Sequence, residues 1–291
     1  MAITMDSIHS KCSKPKVELI MSNEAKKSIE AKKVAVVIPH FRAPQALEVA
    51  IAHLKAQRGV EVDIYVHDNS ANNILFTKAI NIGLRRFAYA DTYDFVLVLN
   101  QDANLHPECL AQLLLSMEQD PRAGICAPIA LSSDKSVNWA GSGDAFPWGR
   151  HLSYDLTKLP HAPFETYWIN GACMLLRTNM IREIGLLDEN MRFICSDGDY
   201  SFTARSRGWK CIVVPNAFVE HELAGSSDVE NAWLNKVKWE DQLYFAKKWI
   251  TGDLYKQLAL EGPKLNDENV KAVLAETQRQ IDLLTQQINA L

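Results

Sequence analysis

No CxxC pair occurs in this sequence, although it carries six cysteines: Cys12, Cys109, Cys126, Cys173, Cys195 and Cys211. That absence argues against the common zinc frameworks. Most of the six sit in apolar runs, where a thiol serves as small core filler in a reducing compartment. No run approaches the ~18 consecutive apolar residues of a membrane span. The first twenty residues, MAITMDSIHSKCSKPKVELI, lack the apolar stretch of a secretory signal. A basic surplus is missing too. The formal net charge is −4, which gives no electrostatic footprint for nucleic acid. The expectation is a cytoplasmic protein.

What is present fits a globular chain of 291 residues, 47% apolar and 23% charged. Residues 1–31 are polar and without period, and read as an extension. From there VAVVIP (34–39) is a continuous apolar run, as in a strand buried on both faces. Pro44 opens a helical pattern through Leu47, Ala50, Ile51 and Leu54. VEVDIYVHDNS (60–70) is a second strand, 72–90 a helix, FVLVL (95–99) a third strand, 107–119 a helix, and GICAPIAL (124–131) a fourth strand. Alternation of this kind implies a mostly parallel central sheet covered by helices. Residues 132–168 are rich in Ser, Gly, Pro and Trp. Beyond them lie a strand (170–177), two helices, a strand (209–215) and an aromatic-rich helix (229–250). In such sheets ligands collect beyond the carboxyl ends of the strands, where His40, Asp68 and Asp102 fall.

The tail, 251–291, differs. Val270, Leu274, Thr277, Ile281, Leu284, Ile288 and Leu291 recur in steps of four and three, a heptad seam. Such a stripe must pack on something. The catalytic body, a second copy in a homo-oligomer and a membrane surface are the three options. The glutamine-rich flank disfavours anionic lipid.

Each chemistry-bearing residue has more than one reading. Asp68, at a strand end, suits a base or ribose edge, or closes an Asx-turn. Asp102 is a hard oxygen donor suited to a divalent ion beside a diphosphate, or a turn residue before Pro107. Asp197 and Asp199, in SDGDYSFTAR, complement a helix N-terminus, or one of them is a general base for an acceptor hydroxyl. His221 is a metal ligand, a phosphate contact or a satisfied loop residue. The Trp and Tyr residues of 139–168 stack on sugar or fill core.

Taken together, the stretches VAVVIPHFRAP, VDIYVHDNS, VLVLNQDANLHPECLAQLLLSMEQDPRAGICAP and WINGACMLLRTNMIREIGLLDENMRFICSDGDYSFTARSRGWKCIVVPNAFVEH resemble, in that order, the inverting nucleotide-sugar transferases of glycosyltransferase family 2. Rhamnosyltransferase-like bacterial members look nearest. The resemblance spans Val34 to His221. It implies an α/β GT-A fold with a catalytic domain over 32–250 and the helical tail after it. It implies donor contacts at Pro39, His40, Asp68, Asn69, Gln101 and Asp102, a manganese or magnesium ion on Asp102 and His221, and an acceptor side at Trp168, Asn170 and Gly171. The base falls on Asp197, with Asp199 the alternate. Two departures stand out: Asn100 replaces the first acid of the metal motif, and Ser196 replaces the acid before Asp197. The implied partners are a nucleoside-diphosphate sugar and a glycan or lipid-linked glycan acceptor, the latter placing the enzyme at the inner face of a membrane. Two rival classes are a nucleotidyltransferase, against which PHFRAPQ has no glycine, and a non-catalytic sugar-binding protein of the same fold, which the thinned acidic motifs would suit.

Overall fold

The computed structural model describes residues 32–142, 152, 155–222, 232–249 and 267–290. The polar extension 1–31, Cys12 and part of the 132–168 loop region lie outside them.

The first strand, β1 (Lys32–His40), is buried over Val34–Ile38, as its unbroken apolar run requires. Pro44 pre-sets the first turn of α1 (Pro44–Lys55). Next come β2 (Val60–Asp68), α2 (Leu75–Phe87), β3 (Phe95–Leu99), the two-residue β4 (Asn104–Leu105), α3 (Cys109–Gln119) and β5 (Ala123–Leu131). Helix α2 sits so close to the sheet that a Cβ on Gly83 would overlap the γ-methyls of Val37, with Cγ2 at 2.6 Å. Only glycine permits that approach.

The remaining elements are the short β6 (Val137–Trp139) and β7 (Phe164–Glu165), then β8 (Cys173–Arg177), α4 (Thr178–Ile184), α5 (Ser196–Ser206), β9 (Lys210–Glu220), α6 (Ala232–Trp249) and α7 (Asp267–Asn289). The sheet order among described residues is β2-β1-β3-β8-β5-β9-β4, with β6 on β5 and β7 on β9. β1 runs parallel to β2 and β3, and β5 parallel to β9. Between these two parallel groups β8 runs antiparallel to both neighbours. The order of elements did not reveal that insertion, because an apolar strand reads the same in either direction. β9 also runs past the expected stop at Pro215. The register with β5 jumps from Pro128↔Val214 to Ile129↔Phe218, so Pro215, Asn216 and Ala217 form a bulge where the missing N–H is not needed.

The tail helix α7 packs on α6 within the same chain. Val273 and Leu274 lie against a buried cluster of Tyr167, Met191, Phe202, Phe245 and Trp249. Thr277, Ile281 and Leu284 are buried as well. The seam is therefore covered from within at these positions. This is the first of the three options, packing on the body of the same chain, at Val273, Leu274, Thr277, Ile281 and Leu284. Leu291 and the side chain of Val270 lie outside the described residues.

Candidate active site

The carboxyl ends of β1, β2 and β3 carry the first cluster. His40 ends β1 opposite Asp68 at the end of β2. Gln101 follows β3 and ties its edge to that of β1. Its Oε1 accepts the Phe41 N–H at 2.8 Å, and its Nε2 donates to the Phe41 carbonyl at 3.2 Å. These bonds fix the amide orientation. His40 Nδ1, 2.7 Å from that Oε1, must therefore donate, and the neutral ring carries its lone pair on Nε2. Gln101 is thus a clamp that sets a histidine tautomer.

Asp68 is exposed and accepts the Ser70 N–H at 2.8 Å, so the Asx-turn is formed. Hydrogen bonding from Ser70 holds its carboxyl below the usual range. Its neighbour Asn69 points elsewhere. It is buried, accepts from Ile74 N–H and donates to the Leu75 carbonyl, stapling the loop into α2. Pro39 pairs with His67 inside the β1–β2 ladder.

One residue beyond Gln101, Asp102 meets His221. Oδ1 lies 3.4 Å from Nε2, with the carboxylate side chain 29% exposed and the imidazole 9%. β9 delivers His221, whose N–H donates to Leu131 O at 2.9 Å and whose carbonyl accepts from Asn138 Nδ2. Asn100 Nδ2 approaches Nε2 at 3.2 Å. Nδ1 is buried and has no hydrogen-bond partner among described residues. Two ligands on one divalent ion, each at about 2.1 Å, stand roughly 3.0–3.4 Å apart. A carboxylate oxygen and an imidazole nitrogen at 3.4 Å fit that requirement. No cluster of three or more His, Cys, Asp or Glu suited to a metal occurs among the described residues. Protein ligation there would rest on this pair.

The residues expected on an acceptor side, Trp168, Asn170 and Gly171, lie next to this edge. Asn100 N–H donates to Ala172 O at 2.9 Å, joining the end of β3 to the turn before β8. In that turn Asn170 Oδ1 accepts Ala172 N–H. Gly171 N–H donates to Asp197 Oδ2 at 2.8 Å, and Gly198 N–H donates to Oδ1 at 2.8 Å. Asp197 is mostly buried but keeps an accessible edge. Burial pushes its carboxyl up, and the two N–H groups offset this only in part. A Cβ on Gly171 would sit 3.3 Å from both Asp197 Cβ and Oδ2, so the glycine lets the turn close on the carboxylate. Trp168 packs on Trp139 with ring centroids 6.2 Å apart, against the main core.

Asp199 is not part of this group. It is 2% exposed, and its Oδ1 takes Trp249 Nε1 at 2.8 Å and Lys248 Nζ at 2.7 Å, both from α6. Sequence reasoning missed Asn138, Lys248 and Trp249. Their partners lie 83, 49 and 50 residues away, and nothing local marks them.

Residues 95–282 match the family described as glycosyl transferase family group 2. Two curated relatives are the N-acetylglucosaminyl-diphospho-decaprenol L-rhamnosyltransferases of Mycobacterium tuberculosis strains CDC 1551 / Oshkosh and ATCC 25618 / H37Rv. Each is 27% identical over 151 residues, 46% of this chain and 48% of theirs. The chain thus spans about half the length of the curated relatives it matches. Among solved structures, GalNAc-T7 with UDP, GalNAc and Mn2+ is similar at a TM-score of 0.54 and 13% identity, over 84% of this chain and 55% of that one. TarS of S. aureus is similar at 0.55 and 13%, over 85% and 43%. At such identity the likeness is one of fold, and the fold is GT-A.

Proposed function

The chain belongs to glycosyl transferase family group 2, and from that premise we propose that it moves a sugar from a nucleoside-diphosphate donor to a hydroxyl of a glycan or lipid-linked glycan, with inversion. The observation that carries this reading is the placement of Asp197. Its carboxylate is held by two backbone N–H groups and raised by burial, on the same sheet edge as the Asp102–His221 pair.

The acceptor oxygen attacks the anomeric carbon from the face opposite the diphosphate. A new C–O bond forms as the bond to the diphosphate breaks, and Asp197 takes the hydroxyl proton. A raised carboxyl suits that role, because a base must be ionised yet still hold a proton. The Gly171 and Gly198 N–H groups keep both oxygens oriented. His40, in its fixed tautomer, offers a lone pair to a donor O–H or N–H, and Asp68 beside it accepts from the nucleoside. Asp102 and His221 would hold a manganese or magnesium ion, which supplies positive charge against the leaving diphosphate and is typically worth several kcal/mol of barrier. The rhamnosyltransferase name of the mycobacterial relatives, with its diphospho-decaprenol acceptor, supports a deoxyhexosyl donor and a lipid-linked acceptor. Among described residues no helix is long and apolar enough to cross a membrane, so on this reading such an acceptor is met at a membrane surface.

The test is nucleoside-diphosphate release across a panel of nucleotide-sugars, with and without manganese. Metal-dependent release with one donor supports the reading. Unchanged turnover after Asp197→Asn, or silence across the panel, overturns it.

A further inference from the structure

Helix α5 begins badly by its own sequence. Its N-cap, Cys195, sits at φ +65° without a side-chain cap bond, and its first turn is Ser-Asp-Gly-Asp. A non-glycine residue at positive φ is strained, and a glycine inside a helix weakens it further. Something outside α5 must hold this turn.

Helix α6 supplies the restraint from two sides. Asp241, fully buried, accepts the N–H groups of Phe193 at 2.7 Å and Ile194 at 3.1 Å, fixing the loop that leads into α5. Seven residues on, Lys248 places Nζ 2.7 Å from Asp199 and 2.9 Å from Asp188, and Trp249 donates to Asp199 at 2.8 Å. Phe245 lies between them, with ring carbons 3.6 and 3.7 Å from where a Gly198 Cβ would be. Successive helical residues turn by ~100°, so Asp199 faces roughly away from Asp197. Asp199 looks toward α6 while Asp197 looks toward Gly171.

A buried ion pair is a poor source of stability, since an apolar pair of the same volume often does as well. What it adds is a fixed orientation. We propose that Lys248 and Trp249 are positioning residues for the transfer reaction: by anchoring Asp199 they set the first turn of α5 and so aim the Asp197 carboxylate at the acceptor hydroxyl. This rests on the reading of Asp197 as the base.

The experiment compares Lys248→Met, Lys248→Arg, Trp249→Phe and Asp197→Asn in the full chain. It measures kcat, acceptor KM, and affinity for UDP, GDP or dTDP with manganese by calorimetry. A misplacement approaching 1 Å costs up to about 100-fold in rate. The expected result is a fall in kcat of roughly 10–100-fold for Lys248→Met, with nucleotide affinity within about two-fold and most of the rate recovered in Lys248→Arg. Trp249→Phe keeps an aromatic ring against Phe202 and removes the indole N–H at some loss of volume, so it carries the test if Lys248→Met does not fold. Wild-type kcat in Lys248→Met, or in Trp249→Phe where it stands in, beside an inactive Asp197→Asn, overturns the positioning role and leaves the base in place. Nucleotide affinity that falls as far as kcat also overturns it, as a general loss of structure. An active Asp197→Asn removes the base and this inference with it.

Discussion

Asparagine at 197 and at 199 should have opposite consequences, and the hydrogen bonds say why. In Asp197→Asn the side chain keeps its shape, but both carboxylate oxygens now accept a backbone N–H, one from Gly171 and one from Gly198. An amide has a single oxygen, so one N–H must face an NH2 group. That mismatch costs about 1–3 kcal/mol. Against it stands the relief of no longer burying a charge, the influence that raises this carboxyl. The two effects oppose each other, and thermal stability at neutral pH should change little. The rate should fall by about 10²–10⁴, or roughly 2.7–5.5 kcal/mol of barrier, as for loss of a general base. In Asp199→Asn the amide oxygen can still take both donors, since both bond Oδ1. What is lost is the charge facing Lys248, which keeps only Asp188. Stability should fall by about 1–3 kcal/mol, lowering the melting temperature by several degrees. Single-turnover kinetics beside calorimetric melting separate the two. If Asp199→Asn abolishes the chemical step and Asp197→Asn does not, the assignment of the base is refuted.

Asp102→Ala should remove manganese-dependent nucleotide binding while leaving the melting curve near that of the native protein. Equal titrations with and without manganese for both proteins would end the metal assignment. The acid limb of kcat should lie above the ordinary carboxylate range near 4, because Asp197 must be ionised and burial raises it; a limb at or below 4 contradicts this. The same shift fixes a stability slope. Between the unfolded value and the raised one the native state holds more protons, so this group's contribution falls as pH rises through that window. Gly83→Ala should destabilise by about 1–3 kcal/mol through overlap with Val37, read by urea unfolding, with Gly83→Ala/Val37→Ala recovering part. The full chain and a chain ending near Gly262 should both be monomeric in light scattering, with the shortened chain melting earlier for want of Ile281 and Leu284. A full-length dimer would revive the seam as an interface.

The parallel strands were legible because burial on both faces leaves an unbroken apolar run, as at Val34–Ile38 and Phe95–Leu99. The antiparallel course of β8 was not, since direction leaves no trace in hydropathy. β4, β6 and β7 span two or three residues, too few for any period. At the site, Asp102 and His221 were marked by strand ends and do meet. The pair Asp197 and Asp199 was found together, but what separates them is Gly171 on one side and Lys248 on the other. Those contacts exist only after folding.

β8 also imposes a timetable. As the chain emerges from the ribosome, β1, β2 and β3 can pair once residue 99 is free, without waiting for later sequence. The other parallel group needs residues 210–220, because β5 has no parallel mate before β9. The strand that splices the halves, 173–177, arrives between these events. Such non-local pairings are slow, because loop closure precedes the contacts that reward it. Asp102 is thus laid down early at the rim of a half-sheet, while His221, one residue past β9, reaches it only as the sheet is completed. The pairing of Asp102 with His221 therefore coincides with closure of the sheet, and a half-made chain holds the carboxylates at the ends of β2 and β3 without the histidine that faces one of them.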